Sequence, residues 1–314
     1  MPIADPRILV LAGICCVLVV ASFAGRLLEG RSHSLKERAF AANWKQRVRA
    51  WWVMVALGGS ALMAGPLALF ALFAGISFLA LREFCASQRG GAAMHPLMAA
   101  GFYAILPVQY ALIALAGTPW SLFFVPVIAA IALPVWMWPQ RANRNLLEAG
   151  AELGLGWLVC IGCLSYPVIL LFADGAGGSL SLSLQVLFLV LVSQAGDVFQ
   201  FLWGKALGRR LLAPRVSPNK TVGGLAGGLF SGAALGMALS FLTPYPPWQA
   251  GALALLVTLA GTAGGLLLSA CKRKRGIKDW GDLLPGHGGV LDRVDSLWLS
   301  APLYFFVTNL LASE

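Results

Sequence analysis

Apolar residues run along this chain in stretches of about 15 to 22, and polar residues gather between them. The pattern predicts ten helices, over 8–28, 50–64, 66–81, 97–116, 120–138, 153–173, 182–203, 222–243, 249–270 and 297–312. Most are near the roughly 20 residues that cross a bilayer. The fold class expected is therefore all-α, a polytopic integral membrane protein with about ten transmembrane helices. The second and third stretches are short, about 23 Å each at 1.5 Å per residue against a roughly 30 Å hydrocarbon core. Gly65-Pro66 between them makes a natural turn.

The basic residues test that count, because cytoplasmic loops hold the excess of Lys and Arg. With the first helix running from outside to inside, the cytoplasmic segments are 26–49, 82–96, 139–152, 204–221 and 271–296, and they contain 22 of the 23 bases. Fusing the second and third stretches into one span would move the two richest downstream clusters outside, so the parity favours two spans. The external connections, Gly65-Pro66, 117–119, 174–181 and 243–249, are short and carry no base. Function is expected on the cytoplasmic face. In the first cytoplasmic segment Phe40, Trp44 and Val48 recur every four residues among Arg38, Lys45, Arg47 and Arg49, which suits a helix lying at the lipid headgroups, although a positive-inside anchor explains the same residues.

Composition agrees: of 314 residues 59% are hydrophobic and 11% charged, far from the balance of a soluble domain. The net charge of +10 would suit nucleic acid only if it formed a basic face on a soluble fold, and topology accounts for it instead. No nucleic-acid partner is expected. Residues 8–25 differ from a secretory signal, since the strong basic cluster follows the apolar run, and they read as a retained first helix. Cys160 and Cys163 have CxxC spacing inside a predicted span with no second pair, and they read as apolar helix residues.

Residues 271–295 need a further explanation. Six bases and four aspartates stand there, 10 of the 36 charged Asp, Glu, Lys and Arg residues, and a topology signal requires bases only. Asp279, Asp282, Asp292 and Asp295 beside a basic run suit a Mg²⁺-nucleotide site, with carboxylates holding a hard cation and bases meeting phosphate. Asp292 and Asp295, three apart, share a face if a helix begins near Leu291. Pro285 to Gly289 offers backbone amides without bulky side chains to an anion, but it is not a Walker A loop. His287 within it reads equally as structural, as a phosphate hydrogen-bond donor or as a general base. Asp197, in an apolar run, is a functional-site candidate that would pair with a cation, or a structural hydrogen-bond former near a helix end. Lys205, Arg209 and Arg210 follow it. Ser217 to Thr221 then precedes a glycine-rich helix, and its hydroxyls, Lys220 and the helix N-terminus together make an anion site. The glycines at 223, 224, 227 and 228 read as close helix packing.

The stretch from Ser269, SACKRKRGIKDWGDLLPGHGGVLDRVD, resembles the C-terminal signature of the phosphatidate cytidylyltransferase, or CDP-diacylglycerol synthase, family: Ser, Lys-Arg, Lys-Asp, Pro-x-His-Gly-Gly and Asp-Arg-x-Asp at matching spacings. LAPRVSPNKT before Gly-Gly resembles the family's second block, and Arg47 to Glu83 its opening hairpin. The likeness covers roughly 45 to 312. It divides the chain into an additional helix and basic interfacial segment, 1–45, and a cytidylyltransferase-like membrane domain, 46–314. Two departures stand out: Cys271 where a larger aliphatic residue is usual, and Ser193 to Gln200, which keeps Asp197 but not the family's usual run after it.

The resemblance implies transfer of CMP from CTP to phosphatidate, with Mg²⁺ as cofactor, other divalent or an additional monovalent cation being allowed for. It implies Asp279, Asp292 and Asp295, with Asp197, as metal ligands. Lys272, Arg273, Lys278 and Arg293 would hold the triphosphate, with Gly288 and Gly289 at the phosphates and His287 nearby. Ser217, Lys220 and Thr221 would bind the phosphate of either substrate. Membrane lipids and a second copy of the chain are the other partners considered, and a bacterial inner membrane is the expected location. Two rivals remain from the sequence: a CTP-dependent kinase of a polyprenol-type alcohol, and an anion transporter.

Overall fold

The computed structural model describes residues 5–30, 34–88, 91–116, 118–173, 180–283 and 288–312. Among them ten helices follow in order: α1 (Pro6–Gly30), α2 (Leu35–Ala64), α3 (Pro66–Ala86), α4 (Gly91–Leu115), α5 (Thr118–Met137), α6 (Arg144–Leu171), α7 (Leu180–Leu207), α8 (Val222–Ala238), α9 (Pro247–Arg275) and α10 (Leu297–Ala312). Seven are long and apolar enough to cross a membrane, and α8 and α10 are shorter apolar helices. The tenth, α2, carries its bases in its first half and its apolar residues in its second. The molecule is an all-α polytopic integral membrane protein, with one small antiparallel hairpin, β1 (Leu211–Ala213) and β2 (Ser217–Thr221).

The expected helices all form, but several extend beyond their apolar runs at the charged end: α3 to Ala86, α7 to Leu207 and α9 to Arg275, with α6 starting at Arg144. Hydropathy falls where lipid stops, whereas backbone hydrogen bonding continues wherever nothing breaks it. The largest extension is α2. The basic stretch before the second span, read from the sequence either as a helix lying at the headgroups or as a positive-inside anchor, is continuous with that span because no Gly or Pro interrupts 35–57. Ser34 caps it reciprocally with Glu37. Ala41 and Val48 are buried, and Trp44 Nε1 donates to Ala21 O at 2.9 Å, so part of the supposed lipid-facing stripe packs on α1. Gly65, at φ +105°, makes the turn into α3, and Pro66 occupies that helix's first position.

Two features position the site. In α8, Gly224, Gly228, Gly232 and Gly236 are buried in one row. A Cβ on Gly228 would lie 2.4 Å from Gln200 Cγ of α7, and one on Gly236 2.3 Å from Ala254 Cβ of α9. Only glycine allows the three backbones to approach so closely. Gln200 Nε2 donates to Thr262 Oγ1 at 2.9 Å, joining α7 to α9 within this layer. The second feature is the gathering at one end of the bundle of the ends of α3 and α9, the start of α6 and the β-hairpin. Arg275 and Arg273 make that gathering explicit.

Candidate active site

Four consecutive cations close α9, and they do different things. Arg275 is buried, with Nη1 donating to Phe84 O at 3.0 Å and to Ser87 Oγ at 2.6 Å, Nη2 to Gln88 Oε1 at 2.7 Å, and Nε to Glu152 at 3.2 Å. Its guanidinium also lies 4.1 Å from the Phe84 ring centroid and 5.1 Å from that of Trp280. This is a structural knot joining α3, α6 and α9. Lys274 pairs with Glu152 at 2.8 Å. Exposed Arg273 donates to Val216 O and Ile277 O, both at 3.3 Å, so it braces the β-hairpin. Lys272 turns inward and pairs with Asp292 at 2.7 Å, both buried. Gly276, at φ +74°, ends the helix.

From Gly288 the chain returns through a tight series of turns. Asp292 accepts from Lys272 through Oδ1 and from the Trp280 and Gly289 amides through Oδ2, at 2.7 and 3.0 Å. Glu83, at the end of α3, accepts from Val290 N and Leu291 N, each at 2.8 Å. The expectation of a helix beginning near Leu291 is corrected: α10 starts at Leu297, and residues 290–296 are turns. With the amides of 289–291 taken by side-chain carboxylates and the Arg293 and Val294 amides both directed at Val290 O, the backbone does not settle into a continuous helix. Asp292 and Asp295 consequently face different surroundings. The Gly289 amide, expected at a phosphate, is engaged by Asp292.

Asp295 faces α7. Burial, and then the Asp197 carboxylate, push its carboxyl up to about 7, while Lys272, Lys220 and Arg293 pull the other way. Lys220, at the end of β2, reaches Asp197 at 3.7 Å. Its Nζ and Asp295 Oδ2 both border Gly265, at 3.3 and 3.7 Å from where a Cβ would stand. Asp197, Lys220 and Asp295 thus come together from α7, β2 and the final turns. Arg293 contributes a buried Nε with no hydrogen-bond partner among the described residues, so a donor is available for an incoming acceptor.

The other candidates sit around this centre. Thr221 Oγ1 caps α8 by accepting from Gly224 N at 3.0 Å, and Ser217 is a partly buried residue of β2. Lys278 and Asp279 are exposed, with Asp279 Cβ 3.3 Å from a hypothetical Cβ on Gly288. His287 lies outside the described residues. Among those residues no three His, Cys, Asp or Glu side chains group around a common point for a metal. Two carboxylates, Asp197 and Asp295, would suit a hard cation that keeps much of its water, with phosphate oxygens completing its shell. Glu83 is the residue that sequence reasoning missed as a participant. The available signal was an acid just beyond an apolar run, whereas Asp197 was singled out by lying within one.

Residues 45–311 match the model of a family described as the cytidylyltransferase family. A protein of Escherichia coli (strain K12) called YnbB, described as uncharacterized, is 35% identical over 308 residues, covering 94% of this chain and 96% of its own. A phosphatidate cytidylyltransferase of Brucella abortus biovar 1 (strain 9-941) is 39% identical over 193 residues, 54% of this chain and 71% of its own. One of Staphylococcus aureus (strain COL) is 31% identical over 202 residues, 56% and 76% respectively.

Proposed function

Since the chain belongs to the cytidylyltransferase family and is a CTP-dependent nucleotidyltransferase embedded in a membrane, we propose that its acceptor is phosphatidate. The products are then CDP-diacylglycerol and pyrophosphate. An oxygen of the phosphatidate phosphate attacks the α-phosphorus of CTP, a new P–O bond forms, and the bond to the β-phosphate breaks with pyrophosphate leaving. The nucleophile comes from the lipid, so the protein contributes alignment and charge stabilisation.

The observation that carries this reading is the meeting of Asp197, Lys220 and Asp295 beside Arg293. Asp197 and Asp295 are the residues we assign to Mg²⁺, which when bound would offset charge on the triphosphate. Arg293, whose Nε has no partner among the described residues, and Lys220 meet phosphate oxygens. Lys272 acts from behind: its pairing with Asp292 fixes the turn that presents Arg293 and Asp295. Exposed Lys278 and Arg273 meet the nucleotide from the aqueous side, and Asp279 stands at the rim. The bias of 22 bases out of 23 supports a cytoplasmic site in a bacterial inner membrane, with the acyl chains remaining in the inner leaflet.

The test uses purified protein in detergent with CTP labelled at the α-phosphate, Mg²⁺ and a panel of phosphorylated and hydroxyl lipids. Label should enter the lipid extract with phosphatidate, with pyrophosphate released in equal amount. Transfer to a different phospholipid alone would change the acceptor. Release of CDP with a newly phosphorylated alcohol would replace cytidylyl transfer by kinase chemistry.

A further inference from the structure

Glu83 is the one acid of α3, and its neighbours on that helix are apolar apart from Arg82 and Ser77. A buried carboxylate costs several kcal/mol unless it is answered by hydrogen bonds. Here each oxygen takes one backbone amide from a segment more than 200 residues away, Val290 N on Oε1 and Leu291 N on Oε2. The opposing backbone is shaped for it. A Cβ on Gly289 would stand 2.3 Å from Glu83 Oε2, and one on Gly281 3.0 Å from its Cδ. The tie continues toward the chemistry, because Val290 O accepts from Arg293 N at 2.9 Å and Val294 N at 3.3 Å. Leu291 immediately precedes Asp292. Glu83 therefore holds the two amides from which the turn bearing Arg293 and Asp295 is suspended.

We propose that Glu83 is a positioning residue for cytidylyl transfer, setting the height of Arg293 and Asp295 over Asp197 through the amides of Val290 and Leu291. The inference rests on the proposed site assignment for its catalytic part, while its structural part stands independently. A carboxylate suits the task because two acceptor oxygens splay toward two successive N–H groups. A carboxamide has only one oxygen and would point an N–H at the other donor.

The experiment compares Glu83→Gln, Glu83→Asp and Gly289→Ala in purified full-length protein, with three measurements. Amide exchange, in the absence of metal and nucleotide, should rise roughly tenfold or more at Val290 and Leu291 in Glu83→Gln while α3 and α9 keep their protection. The kcat for CMP transfer should fall about 10- to 100-fold, the scale on which roughly 1 Å of misplacement acts, with a smaller change in KM for CTP. Glu83→Asp, which keeps both oxygens on a shorter stem, should recover part of both losses. Gly289→Ala leaves Glu83 intact but drives a methyl into its carboxylate, and it should reproduce both effects.

Unchanged exchange at Val290 and Leu291, or an undiminished kcat in Glu83→Gln, overturns the proposal. Unfolding of Glu83→Gln leaves the decision to Gly289→Ala, and near-normal turnover there overturns it as well. Unfolding of both variants assigns Glu83 to global stability instead. A wild-type protein that transfers no CMP refutes the proposed function, yet the exchange data still report whether the tie exists.

Discussion

At the scale of single residues, two aspartates three positions apart stand in opposite surroundings. Asp292 forms a buried pair with Lys272 and takes two amides besides. Asp292→Asn leaves the ammonium without its counter-charge, and breaking a buried pair in this way costs about 3–5 kcal/mol. Its unfolding temperature in detergent should drop clearly. Asp295 is held against another carboxylate and pays for its charge, so Asp295→Asn should melt no lower than wild type while CMP transfer disappears. Calorimetry and the labelled-CTP assay on the same preparations separate the two, and turnover by Asp295→Asn would remove its metal role. Asp197→Asn should lose transfer likewise. The sequence already pointed to all of these acids, to Asp292 and Asp295 because a topology signal does not need them and to Asp197 because it stands within an apolar run. It did not say which acid meets which base, since those pairings join α7, β2, α9 and the last turns across the chain. Glu83 went unassigned for the same reason: its partners are backbone amides, which leave no trace in residue identity.

At the scale of elements, the apolar runs identified all ten helices because lipid demands long uninterrupted hydrophobic segments. Their charged ends were less legible. Lys272 to Arg275 read as loop but form the last turn of α9, and Arg144 onward reads as loop but begins α6. A hydrophobic signal reports the solvent around a helix, not where its hydrogen bonds end. The glycines of α8 were legible as packing residues. Substituting Gly228→Leu puts carbon where Gln200 already lies, and overpacking of this kind costs about 1–3 kcal/mol. The same substitution should diminish CMP transfer, because α7 carries Asp197 and only Thr221 separates Lys220 from α8. Gly58→Leu on α2, where a Cβ meets nothing within 4 Å, should leave both melting and turnover near wild type.

For the whole molecule, the long-range bonds of Arg275, Arg273 and Glu83 collect the polar machinery at one end of the helices. Tyr245 Oη, donating to Thr308 O at 3.1 Å, ties the α8–α9 connection to the far end of α10. With the six native cysteines replaced, Asp282→Cys should react with an impermeant thiol reagent only in inverted vesicles, and Pro244→Cys only in right-side-out ones. Labelling of both from one side would reject the topology.

The divided labour of the four cations closing α9 bears on how a nucleotide arrives. A run of Lys-Arg-Lys-Arg would ordinarily project a strong attractive potential into the water. In this fold two of the four are withdrawn into the protein and a third, Lys274, is paired with Glu152 and Glu148, which leaves Arg273 as the outward charge of that turn. That turn should therefore add little to the salt dependence of CTP encounter, which falls instead to other exposed bases such as Lys278, Arg209 and Arg210.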